Sequence, residues 1–469
     1  MPAIRVLWFE SSILSLLRVI PVLVRRGKMY FLNGVITEQH MQRFDLYASC
    51  IRRLHSFSFN VKVSSQVFTI ISRLRFPTLL PAVRQLKFLS IHNMPLENLN
   101  SLFLVKSSTL TDIQIGRIDA TSEVLVASFL AQVVANVETL DLRGRLTEVT
   151  FGVLPKFERL RGLWLEIQSP QIGARQVDFL GSCAQIKTLG MLWLNVHPDF
   201  RYTAMSTAAA EFPALVTLVI AARMDPMMDI LSMLRTIQLP RLGTIRLNFR
   251  PTEVPLDRRL SPCLERCVQI AQARAFPFAL TLEGTITARW ADLAPLRKLE
   301  NVVGLHILFE ALSVVNDDME SFFSGAGRWS MLKKLIISYC NTPLAPNALQ
   351  WAALGVIARN CPRLVSLVVS IQVGTVPEAI QALKNEISTT RRCTDSNVAS
   401  LTIQTAQHYD ENLPKAAYSV VGAAVVSRYI HHCFPNLKEI KLRDSSNLDW
   451  CMGVERMVMN YQEIQGSTA

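Results

Sequence analysis

Apolar residues in this chain recur in a short phrase: two of them flank a single residue, and a third precedes them by three positions. The phrase reads Leu110-x-x-Ile113-x-Ile115, Val137-x-x-Leu140-x-Leu142, Leu160-x-x-Leu163-x-Leu165 and Leu215-x-x-Leu218-x-Ile220. It continues as Leu242-x-x-Ile245-x-Leu247, Val302-x-x-Leu305-x-Ile307, Leu332-x-x-Leu335-x-Ile337, Leu364-x-x-Leu367-x-Val369, Val398-x-x-Leu401-x-Ile403 and Leu437-x-x-Ile440-x-Leu442. Leu54-x-x-Phe57-x-Phe59, Leu86-x-x-Leu89-x-Ile91 and Ile186-x-x-Leu189-x-Met191 fit the same template, and Phe278 to Leu282 reads as a degenerate member. Alternation at the last two positions predicts a strand with one buried face, and the earlier apolar residue plugs the same core from the turn before it.

No single unit buries such a face alone, so neighbouring units must stack their strands into one parallel sheet. The central positions 89, 113, 140, 163 and 189 recur at the period of leucine-rich repeats, about 20–29 residues. The spacing widens between Leu335 and Leu367 and again between Leu401 and Ile440, leaving room for a full helix. Proline precedes several strands, in Phe212-Pro213-x-Leu215, Leu239-Pro240-x-Leu242, Cys361-Pro362-x-Leu364 and Phe434-Pro435-x-Leu437, where it stops a helix without removing a ladder donor. Helical spacing runs through 122–135, 227–237, 349–360, 376–387 and 416–433. The expected class is α/β, a leucine-rich-repeat solenoid (horseshoe) with the sheet on the concave side and helices on the convex side. It divides into an N-terminal helical cap (1–50), the solenoid (51–445) and a C-terminal cap and tail (446–469).

Composition adjusts this picture only at the ends. Of the 469 residues, 50% are hydrophobic and 18% charged, yet no run approaches the roughly 20 apolar residues of a spanning helix, so no membrane is expected. Nine scattered cysteines, the absence of an N-x-Ser/Thr acceptor and the lack of a leader pattern point to the cytoplasm or nucleus. The net charge of +12 is uneven: positions 1–80 hold 11 Lys/Arg against 3 acids, so 11 − 3 = +8 sits in the first sixth. That end loading argues against a nucleic-acid binder along the whole chain.

Chemistry-bearing motifs are sparse. Cys263-x-x-x-Cys267 lacks a second ligand pair, Gly325-x-Gly327 is too short for a phosphate cradle, Asp317-Asp318 reads as a solvated helix start, and His431-His432-Cys433 closes a helix. Neither an enzyme nor a metal or other cofactor is expected. On the strands, the residues between the buried positions face outward in one column: Ser90, Gln114, Asp141, Trp164, Gly190, Val219, Arg246, His306, Ile336, Val368, Thr402 and Lys441. A solvated face would be polar throughout; exposed Trp164, Val219, Ile336 and Val368 beside Asp141, Arg143, Glu166 and Arg246 have the composition of a protein-contact surface. The expected partner-binding residues are Asp141, Arg143, Trp164, Glu166, Val219, Arg246, His306, Ile336, Val368 and Lys441, holding a protein substrate on the concave sheet.

Positions 1–60 depart from the repeat. Leu7, Trp8, Ile13, Leu14, Leu16 and Leu17 suggest one amphipathic helix ended by Pro21, then a connecting stretch at 29–34, a helix from Thr37 to Ala48 and a strand over 52–57. Three passages, Val6-Leu7-Trp8 with Leu14-Ser15-Leu16-Leu17 and Ile20-Pro21, then Gly34-Val35-Ile36-Thr37, then Arg43-Phe44-Asp45-Leu46-Tyr47-Ala48-Ser49, resemble fungal F-box proteins with irregular leucine-rich repeats. The resemblance implies a substrate-recognition subunit of a Skp–cullin–F-box ubiquitin ligase. It assigns Leu7, Trp8, Leu14, Leu16 and Leu17 to the remnant of a surface for a Skp-type adaptor. The upstream Leu-Pro-x-Glu/Asp segment of that family has no counterpart here, so the F-box is expected to be truncated, with adaptor binding dependent on its completion upstream. The alternative is a basic-ended repeat protein that binds nucleic acid or an acidic surface through Arg18, Arg25, Arg26, Lys28, Arg52 and Arg53, without ligase function.

Overall fold

The computed structural model describes residues 6–55, 62–75, 79–88, 91, 99–105, 107–168, 179–198, 210–251, 259–273, 276–313, 321–323, 329–339, 351–371, 377–390, 392–393, 395–405, 420–443 and 448–466. The chain forms two compact units: Met1–Ile220 with Thr236–Arg241, and Ala221–Arg235 with Leu242–Ala469.

In the first unit the strands are β1 (Glu10–Ser12), β2 (Leu23–Arg26), β3 (Met29–Leu32), β4 (Arg53–His55), β5 (Lys62–Val63), β6 (Gln85–Phe88), β7 (Asp112–Ile118), β8 (Thr139–Gly144), β9 (Gly162–Ile167), β10 (Met191–Val196) and β11 (Thr217–Ala222, its last two residues beyond the unit). Apart from β2, β3 and β5, these are parallel and follow chain order. The second unit contributes β12 (Thr244–Phe249), β13 (Phe278–Arg289), β14 (Val302–Ser313), β15 (Lys334–Tyr339), β16 (Ser366–Ile371), β17 (Ser400–Thr405) and β18 (Glu439–Arg443), also parallel and in chain order. A return segment links each strand to the next, helical in most of the described repeats. The repeat solenoid expected from the spacing is the observed architecture.

The register explains why the phrase is written as it is. Leu54, Leu86, Ile113, Leu140 and Leu163 stand side by side, then Leu192; Phe88, Ile115, Leu142, Leu165 and Leu194 form the next ladder. In the second unit the ladders are Ile245, Leu280, Leu305, Leu335, Leu367, Leu401, Ile440 and Leu247, Leu282, Ile307, Ile337, Val369, Ile403, Leu442. None of these side chains is more than 7% exposed, and full burial of each contributes about 1.5–3 kcal/mol. Many of the turns before the strands repeat one backbone device: a single carbonyl accepts two consecutive N–H groups from the following repeat. Arg84 O takes Thr111 and Asp112, Thr111 O takes Glu138 and Thr139, Glu138 O takes Arg161 and Gly162, and Lys333 O, Val365 O and Ala399 O do the same downstream.

Three phrases are shifted by three positions from their expected register. Leu54, Leu86 and Leu192 occupy the ladder positions expected of Phe57, Leu89 and Leu189; Phe57, Phe59 and Leu89 lie outside the described residues. Because the phrase carries its own spacing of three, a run such as Ile186–Leu189–Leu192–Leu194 satisfies it twice. Burial decides for the second, where Leu192, Leu194 and Val196 alternate and are each 0% exposed.

The N-terminal stretch differs further. The expected single helix is interrupted by β1, which pairs with β4 and so starts the sheet inside the region read as a separate cap; the helix Ile13–Leu17 follows, started by the Ser12 hydroxyl. The expected connecting stretch is β3, paired antiparallel with β2 around Gly27-Lys28, with Gly27 at φ +60°. The helix Glu38–Ala48 begins at Thr37 as expected, with Thr37 and His40 each bonding the other's backbone N–H. At the other end Leu448–Gly466 is a helix, and its Glu455 carboxylate accepts from the Leu442 N–H at 2.5 Å.

Candidate functional site

The helix-free face of each unit carries the outward column. In the first unit it runs Ser12, His55, Lys87, Gln114, Asp141, Trp164, Trp193. Gly190 O accepts from both Val216 and Thr217 N–H, as the preceding turns do, which sets Val219 beside Trp193. Trp193 replaces Gly190 in the expected column, and Lys87 replaces Ser90, which lies outside the described residues.

Asp141, Arg143, Trp164 and Glu166 are brought together on two adjacent strands, with Asp141 facing Trp164 and Arg143 facing Glu166. Asp141 is held by a bidentate Arg143 at 2.9 and 2.7 Å and by Gln114 Nε2 at 2.9 Å. The bonds to Asp141 raise the Arg143 pKa, and the nearby Glu166 charge adds to the effect. Glu166 itself accepts from Gln168 at 2.5 Å. Trp164 folds back along its strand so that Cζ3 and Cη2 lie over Gly162, where a β-carbon would sit only 2.6–2.8 Å away. Trp193, one strand on, is 40% exposed. A cleft of about 260 Å³ opens beside Trp164, lined by Gln85, Asp112, Gln114, Thr139 and Asp141 together with Ile113 and Leu140. Val219 is 8% exposed and so is a covered residue, in contrast to the expectation that it projects to solvent.

In the second unit Arg246, Thr281, His306, Ile336, Val368, Thr402 and Lys441 form one row. Six strand steps of ~4.8 Å put its ends roughly 29 Å apart. Much of the row is satisfied internally. Arg246 pairs with Glu283, which also accepts from Asn248 at 3.1 Å, and Lys441 pairs with Glu439 at 2.5 Å. His306 lies 3.4 Å from the Thr281 hydroxyl; burial first, then the Lys334 and Arg246 charges, push its pKa below the ordinary histidine value. Ile336 and Val368 are half-buried neighbours.

At the N-terminal end Leu7 is 77% exposed, Trp8 packs on Tyr47 with ring centroids 4.5 Å apart and Leu14 is half-buried, whereas Leu16 and Leu17 are core residues at 2% and 1%. Those two belong to this chain's own interior and offer no surface to an adaptor. The basic residues of this end divide between two sheets. Arg25, Arg26 and Lys28 sit on the β2–β3 hairpin, with Arg25 and Arg26 over the Tyr30 and Phe31 rings at 5.9 and 5.0 Å. Arg52 instead bonds the Ser49 carbonyl and Arg53 reaches Glu10 at 3.7 Å. Cys263 and Cys267 are fully buried one turn apart on the helix Leu260–Gln272, and burial pushes the Cys263 thiol up. Among the described residues no group of three or more His, Cys, Asp or Glu is placed to hold a metal ion, and no helix is long and apolar enough to cross a membrane. Asp317-Asp318 and Gly325-x-Gly327 lie outside the described residues.

No family model matches this chain, and no curated protein matches it. Among solved structures it is similar to the leucine-rich repeat-containing protein LegL7 from Legionella pneumophila, at 12% identity and a TM-score of 0.30, over 84% of this chain and 94% of that one. It is also similar to a chain of the Rad7 and Elc1 complex in yeast, at 13% identity and a TM-score of 0.33, over 77% of this chain and 79% of that one. The fold of this chain rests on its own ladder of parallel strands: it is a leucine-rich-repeat solenoid.

Proposed function

We propose that this chain is a protein-docking scaffold whose helix-free sheet face receives a segment of a partner protein. The observation that carries the reading is the pair Trp164 and Trp193, side by side on β9 and β10 and partly open to solvent. Large aromatic side chains left on a strand face are a cost to solubility unless a partner covers them, and tryptophan leads the residues that dominate protein contacts. Parallel capture with the wild-type chain and with Trp164→Ala/Trp193→Ala tests it. At least one protein should be recovered by the first and lost, by tenfold or more, from the second, while both chains melt alike. Equal recovery refutes the reading.

The finer role, a substrate receptor for a Skp-type adaptor, draws support from the family resemblance and from exposed Val6, Leu7 and Phe9 (77%, 77% and 44%) at the N-terminal end. Its test is co-elution with a purified Skp-type adaptor, abolished by Leu7→Asp. A second reading, binding of an anionic polymer, is favoured by one observation. Positions 21–36 contain Arg25, Arg26 and Lys28 but no acid, and Lys62 of β5 pairs beside Met29 on the same small sheet.

A further inference from the structure

We infer that the cleft beside Trp164 is a slot for one cationic side chain, a guanidinium or ammonium, carried by an extended basic segment of the partner. The inference rests on the docking reading above and specifies the chemistry of what docks. Three features converge on it. Among the described residues the cleft is lined by two carboxylates, Asp112 and Asp141, and by no lysine or arginine. Asp141 is already neutralised by Arg143, but Asp112 accepts from hydroxyls, Thr139 Oγ1 and Thr111 Oγ1 (the latter at 2.6 Å), and forms no ion pair among the described residues. A half-buried carboxylate without a counter-ion is the group that gains most from an arriving cation, because the surrounding low dielectric strengthens the pairing.

The third feature is the ring. The edge of Trp164 lies against Gly162, which leaves the rest of the indole as a wall of the cleft. A cation within about 6 Å of an indole is held by the ring quadrupole, with arginine the commoner partner. The size also fits. At about 260 Å³ the cleft falls below the roughly 300–1,000 Å³ of pockets that enclose whole small molecules, so it suits a single long side chain anchored to a chain running outside. Trp193 on the next strand then provides apolar footing for the residues that follow, and the Asn195 Oδ1 on that strand has no donor among the described residues.

The probe is a phage-displayed library of short random peptides panned on the full chain at low salt. Each enriched peptide is then titrated against wild type, Asp112→Asn, Trp164→Ala/Trp193→Ala and the milder Trp193→Gln, with melting curves recorded for all. Enriched peptides should share a lysine or arginine. Replacing that residue by norleucine, or Asp112 by Asn, should each weaken binding at least fivefold, and the two losses should not multiply when combined. Peptides that need the tryptophans but share no cation, or that ignore Asp112→Asn, overturn the slot and leave the docking face standing. Peptides indifferent to both tryptophan variants overturn the docking face itself, and no enrichment over the double variant overturns both.

Discussion

A β-carbon on Gly144, which has φ +134°, would stand 2.3 Å from the Ile118 carbonyl oxygen; on Gly284, at φ +153°, it would stand 2.2 Å from the Phe249 oxygen. Both glycines mark places where the ladder changes register, between Ile115 and Ile118 and between Gly284 and Thr287. Their backbone geometry is costly for any L side chain, by about 1–3 kcal/mol before the clash is counted. Gly144→Ala and Gly284→Ala should therefore each lower the midpoint of denaturant unfolding by at least that equivalent, whereas Gly190→Ala, with its nearest neighbour at 3.6 Å, should hardly move it. Gly162 differs from both: its substitution meets the far end of a side chain, so its cost falls on the pose of Trp164. In the sequence Trp164 is recognisable by its place between two leucines. Trp193 is concealed because Leu189 satisfies the same phrase; the longer alternation Leu192–Trp193–Leu194–Asn195–Val196 is the signal that separates the two.

The elements are tied to their neighbours by acidic side chains as well as by the ladders. Glu123, at the start of the helix Glu123–Val133, is 4% exposed, yet it accepts from the Thr147 N–H at 2.5 Å and the Thr150 hydroxyl at 2.8 Å at the start of the next repeat's helix. Removing a buried acceptor strands its donors at about 1–3 kcal/mol. Glu123→Ala should destabilise by that amount in urea melts, and Glu123→Gln, which keeps an acceptor, by clearly less. Helices with strong apolar spacing are legible in the sequence: 122–135 and 227–237 correspond to Glu123–Val133 and Met224–Leu234. The N-terminal strands before Thr37 are not. Glu10–Ser12 has no alternation of its own and becomes a strand because Phe9 O receives the Arg52 and Arg53 N–H groups, a long-range contact that local pattern does not contain. The β2–β3 hairpin likewise hides in a run with apolar residues on both faces.

At the scale of the whole molecule the repeat class follows from spacing alone, since only stacking buries a face presented once per repeat. The location of the proposed contact surface does not follow, because it depends on register across strands. Charge belongs to this scale too. With +8 of the +12 within positions 1–80, any attraction to a polyanion should be concentrated at the hairpin. Arg25→Ala/Arg26→Ala/Lys28→Ala should elute from heparin at clearly lower salt than wild type, and the dependence of binding on ionic strength should flatten with each cation removed. Unchanged elution would remove the second reading.

The doubled acceptor that recurs at the turns before the strands has a consequence for how such a chain tolerates change. It fixes where the next strand starts, but places no demand on the length of the path that returns to it. The return from Leu140 to Leu163 is short and that from Leu401 to Ile440 much longer, with the same backbone bonds at arrival. Insertions on the return side are thus absorbed as slack. Deletion of one residue between the paired N–H donors and the ladder would instead turn the strand over, exchanging its inner and outer side chains. The molecule is permissive about length and strict about phase, and a surface composed on it keeps its spelling while the loops behind it are rewritten.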